Sequence, residues 1–379
     1  MQPKKILFIS NGFYPKARGA EIQMENLARY FQKKGHTIEV LTLKYDNNLA
    51  DFENINGLDV LRISYPQIKG IGTVVYLFKF AVKIRKEIKN WDAFYVVIPE
   101  YLAFFVSLFG ALNNKKVILK FTGIGDLGAG YINKLFMPKL LFWGIRKAAF
   151  FIAVSQTMVD DIASYKFTKD KIKLIPNAVN TDQFKPVSVT EKIQLKKQSG
   201  FDSDFVAVFV GKLIDFKGVE YLVEAWKKFV EENNKNAILL MAGQGPLEKK
   251  LESFVSENKL EKNIRLLGVR RDISDLMQLS DIFILPSYTE GLSNTLLEAM
   301  SCGLPAVCTR ISGNIDLVTD GQNGLLYEAG DKQALFEKIC LLNNERNLIT
   351  DYGKKARVTI SQYCSPETVY NKYMDLIES

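Results

Sequence analysis

The chain of 379 residues holds one histidine, His36, and four cysteines, Cys302, Cys308, Cys340 and Cys364, none of them in a Cys-x-x-Cys spacing. That is too little for a zinc site of the usual Cys and His make-up. It points instead to reduced, partly buried thiols and away from a disulfide framework. Long uninterrupted apolar runs are scarce as well. The N-terminal run in MQPKKILFIS is too short for a signal peptide and reads as a first strand. Residues 93–112 are nearly all apolar, but Pro99 and Glu100 break them. A buried strand (AFYVV) followed by a helix (YLAFFVSLFGAL) accounts for this stretch better than a membrane span does.

Apolar residues make up 47% of the chain. This excludes a disordered protein, and the length suffices for two domains of ordinary size. The net charge of +8 is uneven: residues 1–185 hold 27 Lys and Arg against 15 Asp and Glu, and the remainder holds 23 against 27. The basic excess belongs to the first half, where aromatics are interleaved with it. A solvated face would show the same charge, but the aromatics favour a surface that meets an anionic membrane leaflet or a phosphorylated lipid.

The most informative stretch is Leu285–Thr309, LPSYTEGLSNTLLEAMSCGLPAVCT. A strand end (DIFIL) runs into Pro286 and a turn-like SYTEGLSN. A helix is predicted from about Thr295 to Cys302, stopped by Gly303 and Pro305 before a second apolar run. The loop therefore stands at the carboxyl end of a strand, where open parallel sheets bind ligands. Ser293 or Asn294 can cap the helix, whose amides and positive dipole end make a place for a phosphate. Glu298 lies about one turn inside. Helical side chains lean toward the N-terminus, so its carboxylate faces whatever the phosphate is attached to and suits a ribose diol. Glu290, eight residues earlier, can reach the far side of the same ligand. An acidic cluster on a surface helix would carry the same pair, so the two glutamates alone decide nothing.

The whole string is more specific. Pro286, Ser287, Glu290, Gly291, Leu297, Glu298, Ala299, Met300, Cys302, Gly303 and Pro305 stand in the order of a Glu, seven residues, Glu signature. In this the chain resembles the retaining glycosyltransferases of family 4. The resemblance covers nearly the whole chain and is densest in 205–330. It implies an α/β chain of the GT-B fold, two facing Rossmann-like domains with parallel sheets and a deep interdomain cleft. It implies that Glu290 contacts donor-sugar hydroxyls, that Glu298 holds the ribose, and that the backbone through Gly291, Leu292, Ser293, Asn294 and Thr295 holds the diphosphate. GKLIDFKG matches the family's GRL-x-x-x-KG, with Lys212 where Arg is usual and Lys217 in place. Both would neutralise a departing diphosphate, as point charges and not as bidentate forks. Val269 and Arg270 fall where the family's backbone contacts the base.

In the first half, PKARGAE matches P-x-x-GGAE with Arg18 for the first glycine. The Gly19 amide is expected to meet phosphate, and Arg18 to reach toward the acceptor. His36 matches the family's structural Gly-His. Gly123, Gly125 and Gly128 form a G-x-G-x-x-G after a strand, alone a dinucleotide signal. It comes late in its domain, and residues 143–151 offer no acid where the ribose partner should fall. In the family this loop faces the cleft and carries a His. Thr122 or Gly123 stands there instead, and with Asp126 is a candidate for acceptor binding. Asp202-Ser203-Asp204 reproduces a metal-binding D-x-D but lies in a linker, and no metal is expected.

Residues 74–90 alternate apolar and basic at helical spacing, which predicts a core-facing helix with a basic outer face. Residues 131–150 set Phe136, Phe142 and Trp143 among Lys134, Lys139, Arg146 and Lys147. Lys139, Arg146 and Lys147 fall within about 100° on a helical wheel, a composition that suits a lipid interface. TDGQNGLLYEAGD, 319–331, reads as turn-rich. The expected domains are an acceptor-binding 1–185, a linker 186–204 and a donor-binding 205–365, with the helix 366–379 crossing back onto the first.

The expected activity is metal-independent, retaining transfer from a nucleotide diphosphate sugar, UDP-sugar ahead of GDP-mannose. The expected acceptor is a saccharide hydroxyl, lipid-linked, in cell-surface polysaccharide biosynthesis. No cofactor and no nucleic acid are expected. The expected location is cytoplasmic, peripheral on the inner face of the plasma membrane through the first domain. A sugar-nucleotide epimerase of the same fold and a non-catalytic nucleotide-sugar sensor are the alternatives.

Overall fold

The computed structural model describes residues 2–15, 19–66, 71–98, 100–125, 128–201 and 203–379. The chain divides into two compact units. One holds residues up to Ala178 together with Pro366–Ser379, the other Val179–Ser365.

Unit 1 opens as a βαβ: β1 (Lys5–Ser10), α1 (Gly19–Lys33) and β2 (Thr37–Leu43). A hairpin, β3 (Phe52–Ile55) and β4 (Leu58–Ile63), is followed by α2 (Ile71–Glu87), β5 (Ala93–Val97), α3 (Tyr101–Leu112) and β6 (Lys116–Lys120). Then come α4 (Pro138–Ile145), β7 (Phe150–Ala153), α5 (Gln156–Ser164) and β8 (Ile172–Leu174). The sheet runs β3-β4-β2-β1-β5-β6-β7-β8, parallel except for the hairpin. The apolar stretch 93–112 is a strand and a helix, as its break at Pro99-Glu100 predicts. Every residue of β5 is buried, because a parallel strand has both faces covered. Among the described residues no helix is long and apolar enough to cross a membrane.

The sequence pattern misplaces one basic side chain. Arg146 does not share an outer face with Lys139 and Lys147, since α4 ends at Ile145. It turns inward, donating to Tyr165 O at 2.7 Å and lying over the rings of Phe142 and Phe167.

Unit 2 begins with α6 (Val189–Gln198), β9 (Val206–Val210), α7 (Val219–Glu232), β10 (Ile238–Ala242) and α8 (Glu248–Glu257). It continues with β11 (Ile264–Leu266), α9 (Ile273–Leu279), β12 (Ile282–Leu285), α10 (Asn294–Ser301), β13 (Ala306–Thr309), β14 (Gly324–Tyr327), α11 (Lys332–Asn344) and α12 (Arg346–Tyr363). Its sheet is wholly parallel, in the order β11-β10-β9-β12-β13-β14. Trp226 and Phe229 of α7 anchor the core on one face with α8 and α11; Leu296 and Met300 of α10 anchor the other with α9 and α12. The turn-rich stretch 319–331 contains an edge strand: GLLY is only four residues and acquires its conformation by pairing with β13.

Residues 186–204 hold a helix that clusters with unit 2. Ser188 and Glu191 cap α6 reciprocally, and its lysines reach the core. Asp281, 9% exposed, meets Lys192 at 2.6 Å and Lys196 at 3.0 Å and accepts the Val206 N–H at 2.8 Å. Burial alone would push its carboxyl up, but the two ammoniums and that N–H together hold it below the usual carboxylate range. Asp281→Ala strands two cations and an amide, and is expected to destabilise unit 2 by about 3 kcal/mol in denaturant unfolding. A loss under about 1 kcal/mol would mean that this network behaves as a surface pair.

The last helix, α13 (Pro366–Glu378), returns to unit 1 and packs on α1. His36 is structural there: it lies 5% exposed, with Nε2 2.8 Å from the Tyr370 hydroxyl and Nδ1 accepting the Lys4 N–H at 3.0 Å.

Candidate active site

In unit 2 the strand order reverses between β9 and β12. Open parallel sheets bind their ligands at the carboxyl ends of the strands at such a switch point. The β9 loop runs Gly211–Gly218 and the β12 loop Pro286–Ser293, and the two are stitched together. Tyr288 N donates to Phe216 O at 2.8 Å, and the Tyr221 hydroxyl donates to Pro286 O. Gly218, at φ +67°, lets them close: a Cβ there would stand 2.1 Å from Pro286 O.

This closure brings the two predicted charges together. Lys217 Nζ is paired with Glu290 Oε1, and the Ser287 hydroxyl donates to the same oxygen at 2.7 Å. Both side chains are mostly shielded, at 17% and 12% exposure, so the pair works in a medium where charge is less screened than in water. Behind it, Thr309 Oγ1 donates to Ser287 O at 2.7 Å, and the fully buried Asn314 donates to Thr309 O at 3.0 Å. Gly313, at φ +78°, lets the β13 loop pass Gly291, where a Cβ would stand 2.3 Å from its carbonyl oxygen.

The other half of the signature sits on α10. Ser293 is its N-cap, accepting the Leu296 N–H at 3.4 Å and standing 3.0 Å from the Thr295 hydroxyl. Asn294 opens the helix, so the start of α10 directs first-turn amides and the positive dipole end out past the β12 loop. Glu298 is half-buried one turn in, and burial pushes its carboxyl up to about 7.

The remaining candidates are spread more widely. Lys212 is exposed and forms no ion pair among the described residues. Val269 is 66% exposed, and Arg270 is forked onto Asp272, with Nε at 2.8 Å. In unit 1, Gly19 is the first residue of α1, and Thr122 and Gly123 follow β6. The three glycines there do not open a helix: the chain folds back, Gly128 N donating to Gly125 O at 2.9 Å, into a 3₁₀ run Ala129–Lys134. Arg18 and Asp126 lie outside the described residues, as does Asp202 of the D-x-D.

Sequence reasoning gave no role to Ser287, Tyr221 or Gly313. The first was visible only as part of a motif string, and the other two act through contacts across the sheet. It also passed over Lys120, which is buried, donates to Asn177 Oδ1 at 2.6 Å, and is held down at about 7 by burial.

Residues 17–183 match the family model Glycosyltransferase Family 4, and residues 191–359 match Glycosyl transferases group 1. With a parallel α/β sheet in each unit, the chain is a glycosyltransferase of the GT-B type. The crystal structure of Anabaena Alr3699/HepE in complex with UDP aligns over 99% of both chains at a TM-score of 0.80 and 19% identity, a likeness of fold. Within that class, this chain pairs a family 4 domain with a group 1 domain. It is 24% identical to the N-acetyl-alpha-D-glucosaminyl L-malate synthase of Bacillus anthracis, over 95% of this chain and 93% of that enzyme. It is 34% identical to the UDP-Gal:alpha-D-GlcNAc-diphosphoundecaprenol alpha-1,3-galactosyltransferase of Escherichia coli, an alignment that spans about half of each, 47% and 46%.

Proposed function

We propose that the protein transfers a sugar, with retention and without a metal, from a nucleotide diphosphate sugar to a saccharide hydroxyl. The observation that carries this reading is the Lys217–Glu290–Ser287 cluster at the switch point of unit 2, beside the capped start of α10. The bond from the anomeric carbon to the diphosphate oxygen breaks as the acceptor oxygen bonds to the same face of that carbon. The acceptor's proton passes to the departing oxygen. Lys217 and Lys212 would neutralise the leaving charge, and Glu290 would orient the sugar and stabilise positive charge at its ring. Glu298 would hold the ribose. The backbone of Gly291–Thr295 would take the diphosphate and the 269–270 backbone the base, and the Gly19 amide is proposed as a further phosphate contact. Arg18, Thr122, Gly123 and Asp126 are proposed to contact the acceptor.

Retention commonly uses two carboxylates flanking the scissile bond. With Glu298 given to the ribose, this reading has no second carboxylate for a double displacement, and the step is same-face substitution without a covalent enzyme intermediate. A glycosyl adduct trapped on Glu290 would overturn that step. UDP is favoured as the nucleotide because it is what HepE was crystallised with and what the Escherichia coli relative's name carries. The same name, and the basic, aromatic first half of the chain, support a lipid-linked acceptor in cell-surface polysaccharide biosynthesis and a peripheral place on an anionic cytoplasmic membrane face. The malate synthase's name points the other way, to a small soluble acceptor.

The test is nucleotide release from UDP-, GDP-, ADP- and dTDP-sugars in EDTA, with and without a crude lipid-linked acceptor extract. The expected result is release from one UDP-sugar that rises with the extract. Binding without release would indicate a sensor, and conversion of the sugar without release an epimerase.

A further inference from the structure

Unit 1 has a switch point of its own, between β1 and β5. The loops leaving those strands meet there, Asn11 Nδ2 donating to Glu100 Oε2 at 3.0 Å across 89 residues of sequence. Around the pair lies a cavity of about 340 Å³ walled by Tyr65, Tyr76, Tyr101 and Tyr131. That is near the lower end of small-molecule sites, about 300 Å³. Tyrosine rings give flat walls with polar edges, while the carboxylate and the amide offer acceptors and donors for hydroxyls. Glu100 is partly shielded, and burial pushes its carboxyl up, so a second anion is unwelcome. The chemistry fits an uncharged, hydroxyl-rich ring.

The cavity wall is also the edge of an apolar surface. Three residues that line the cavity are each followed by an exposed apolar one: Thr73 by Val74, Leu77 by Phe78, and Leu135 by Phe136. Val74, Phe78 and Val82 form an exposed stripe on α2, spaced by one turn. α3 packs against both α2 and α4. Gly144 lets α4 close on the Phe104 ring of α3, where a Cβ would stand 2.1 Å from Cδ2. Leu140 and Trp143 carry the exposed apolar surface onto α4. α3 and α4 contain no acid, Glu87 is the only one on α2, and Arg85, Lys86, Lys139 and Lys147 are exposed nearby in sequence. Exposed aromatics among cations match an anionic bilayer surface.

We propose that this cavity binds the uncharged saccharide head of a membrane-anchored acceptor while the α2–α3–α4 face rests on the anionic bilayer that carries it. The inference rests on the transferase reading, and its test uses no turnover. Of the three tryptophans only Trp143 is exposed, at 49%, against 8% for Trp91 and 0% for Trp226, so its emission reports on the face. Phosphatidylcholine vesicles containing phosphatidylglycerol are expected to shift it to the blue, and phosphatidylcholine alone to leave it unmoved. The double variant Phe78→Asp/Phe136→Asp, at positions 69% and 77% exposed, should melt like the native protein and bind those vesicles at least about tenfold more weakly. Against a panel of octyl hexosides below their micelle concentration, Glu100→Gln should lose about tenfold in affinity for the best ligand and keep vesicle binding. Indifference to vesicle charge, or a double variant that binds normally, would overturn the bilayer face. A panel with no binder, or one bound equally by Glu100→Gln, would overturn the cavity. A failed transferase reading would instead show in the nucleotide-release assay.

Discussion

Glu290→Gln is expected to lower turnover by about 10²- to 10³-fold, the range found when one preorganised electrostatic group is removed from an active site, while nucleotide affinity changes by less than about twofold. The reasoning is geometric. Gln keeps the length of the side chain and an oxygen that can accept from Ser287, so the stitched loops should survive; in the native chain that oxygen takes both the Ser287 hydroxyl and Lys217. What is lost is the negative charge, which matters most when the sugar carbon becomes positive, an interaction stronger in the transition state than in the ground state. The nucleotide, proposed to rest on the start of α10 and on Glu298, should not sense the change. Single-turnover kinetics and calorimetry with the free nucleotide would check both halves. Equal losses in turnover and nucleotide binding would show that Glu290 positions the donor and does not assist the chemistry.

Glu298→Gln should make the ligand-free protein more stable near neutral pH and yet weaken nucleotide binding. The native carboxyl is pushed from its ordinary 4.5 up to about 7, because burial penalises the charged form. Below about pH 4.5 the folded and unfolded chains both carry the neutral acid, and the stability tied to this group is fully present. As pH rises, the unfolded chain ionises first, so stability falls until the folded group ionises near 7. A tenfold difference in proton affinity between the two states is worth about 1.4 kcal/mol, so the penalty at mildly alkaline pH approaches about 3 kcal/mol. Gln carries no proton to lose. Its unfolding midpoint should therefore rise above the native one in alkaline buffer and match it in acid. Nucleotide affinity should fall by about 1.5–3 kcal/mol, the worth of hydrogen bonds to a charged acceptor, and lose its rise with pH through 7. A stability difference independent of pH would show that Glu298 is not buried at this cost. Undiminished nucleotide binding would remove it from the ribose site. A buried charge that destabilises the fold is what a binding group often requires.

Both glutamates could be picked out from the string Glu290–Glu298, because a strand, a turn and a capped helix are local patterns. The cap itself narrowed from two candidates to Ser293, which alone had the extended backbone of an N-cap. Other elements could not be read this way. Arg146 follows the helical wheel in sequence but leaves it one residue past the end of α4, to lie over the rings of Phe142 and Phe167 and donate to the Tyr165 carbonyl. The polar stretch 186–204 looks like a free linker, yet the Asp281 that anchors its helix lies about eighty residues away. Glu100 reads only as a break in an apolar run until β5 is laid beside β1, where it meets Asn11.

By itself the sequence determined the alternation of strand and helix, the two-unit α/β class, and the kinds of side chain at the β9 and β12 loops, since short-range spacing and local hydrogen bonding set all of these. It did not determine which loops would meet. Lys217 and Glu290 stand 73 residues apart. Only the pairing of β9 with β12, with the strand order reversing between them, sets their charges in contact. The raised proton affinity of Glu298 is likewise a property of the packed state, because desolvation exists only once the helices of unit 2 have closed around the carboxyl.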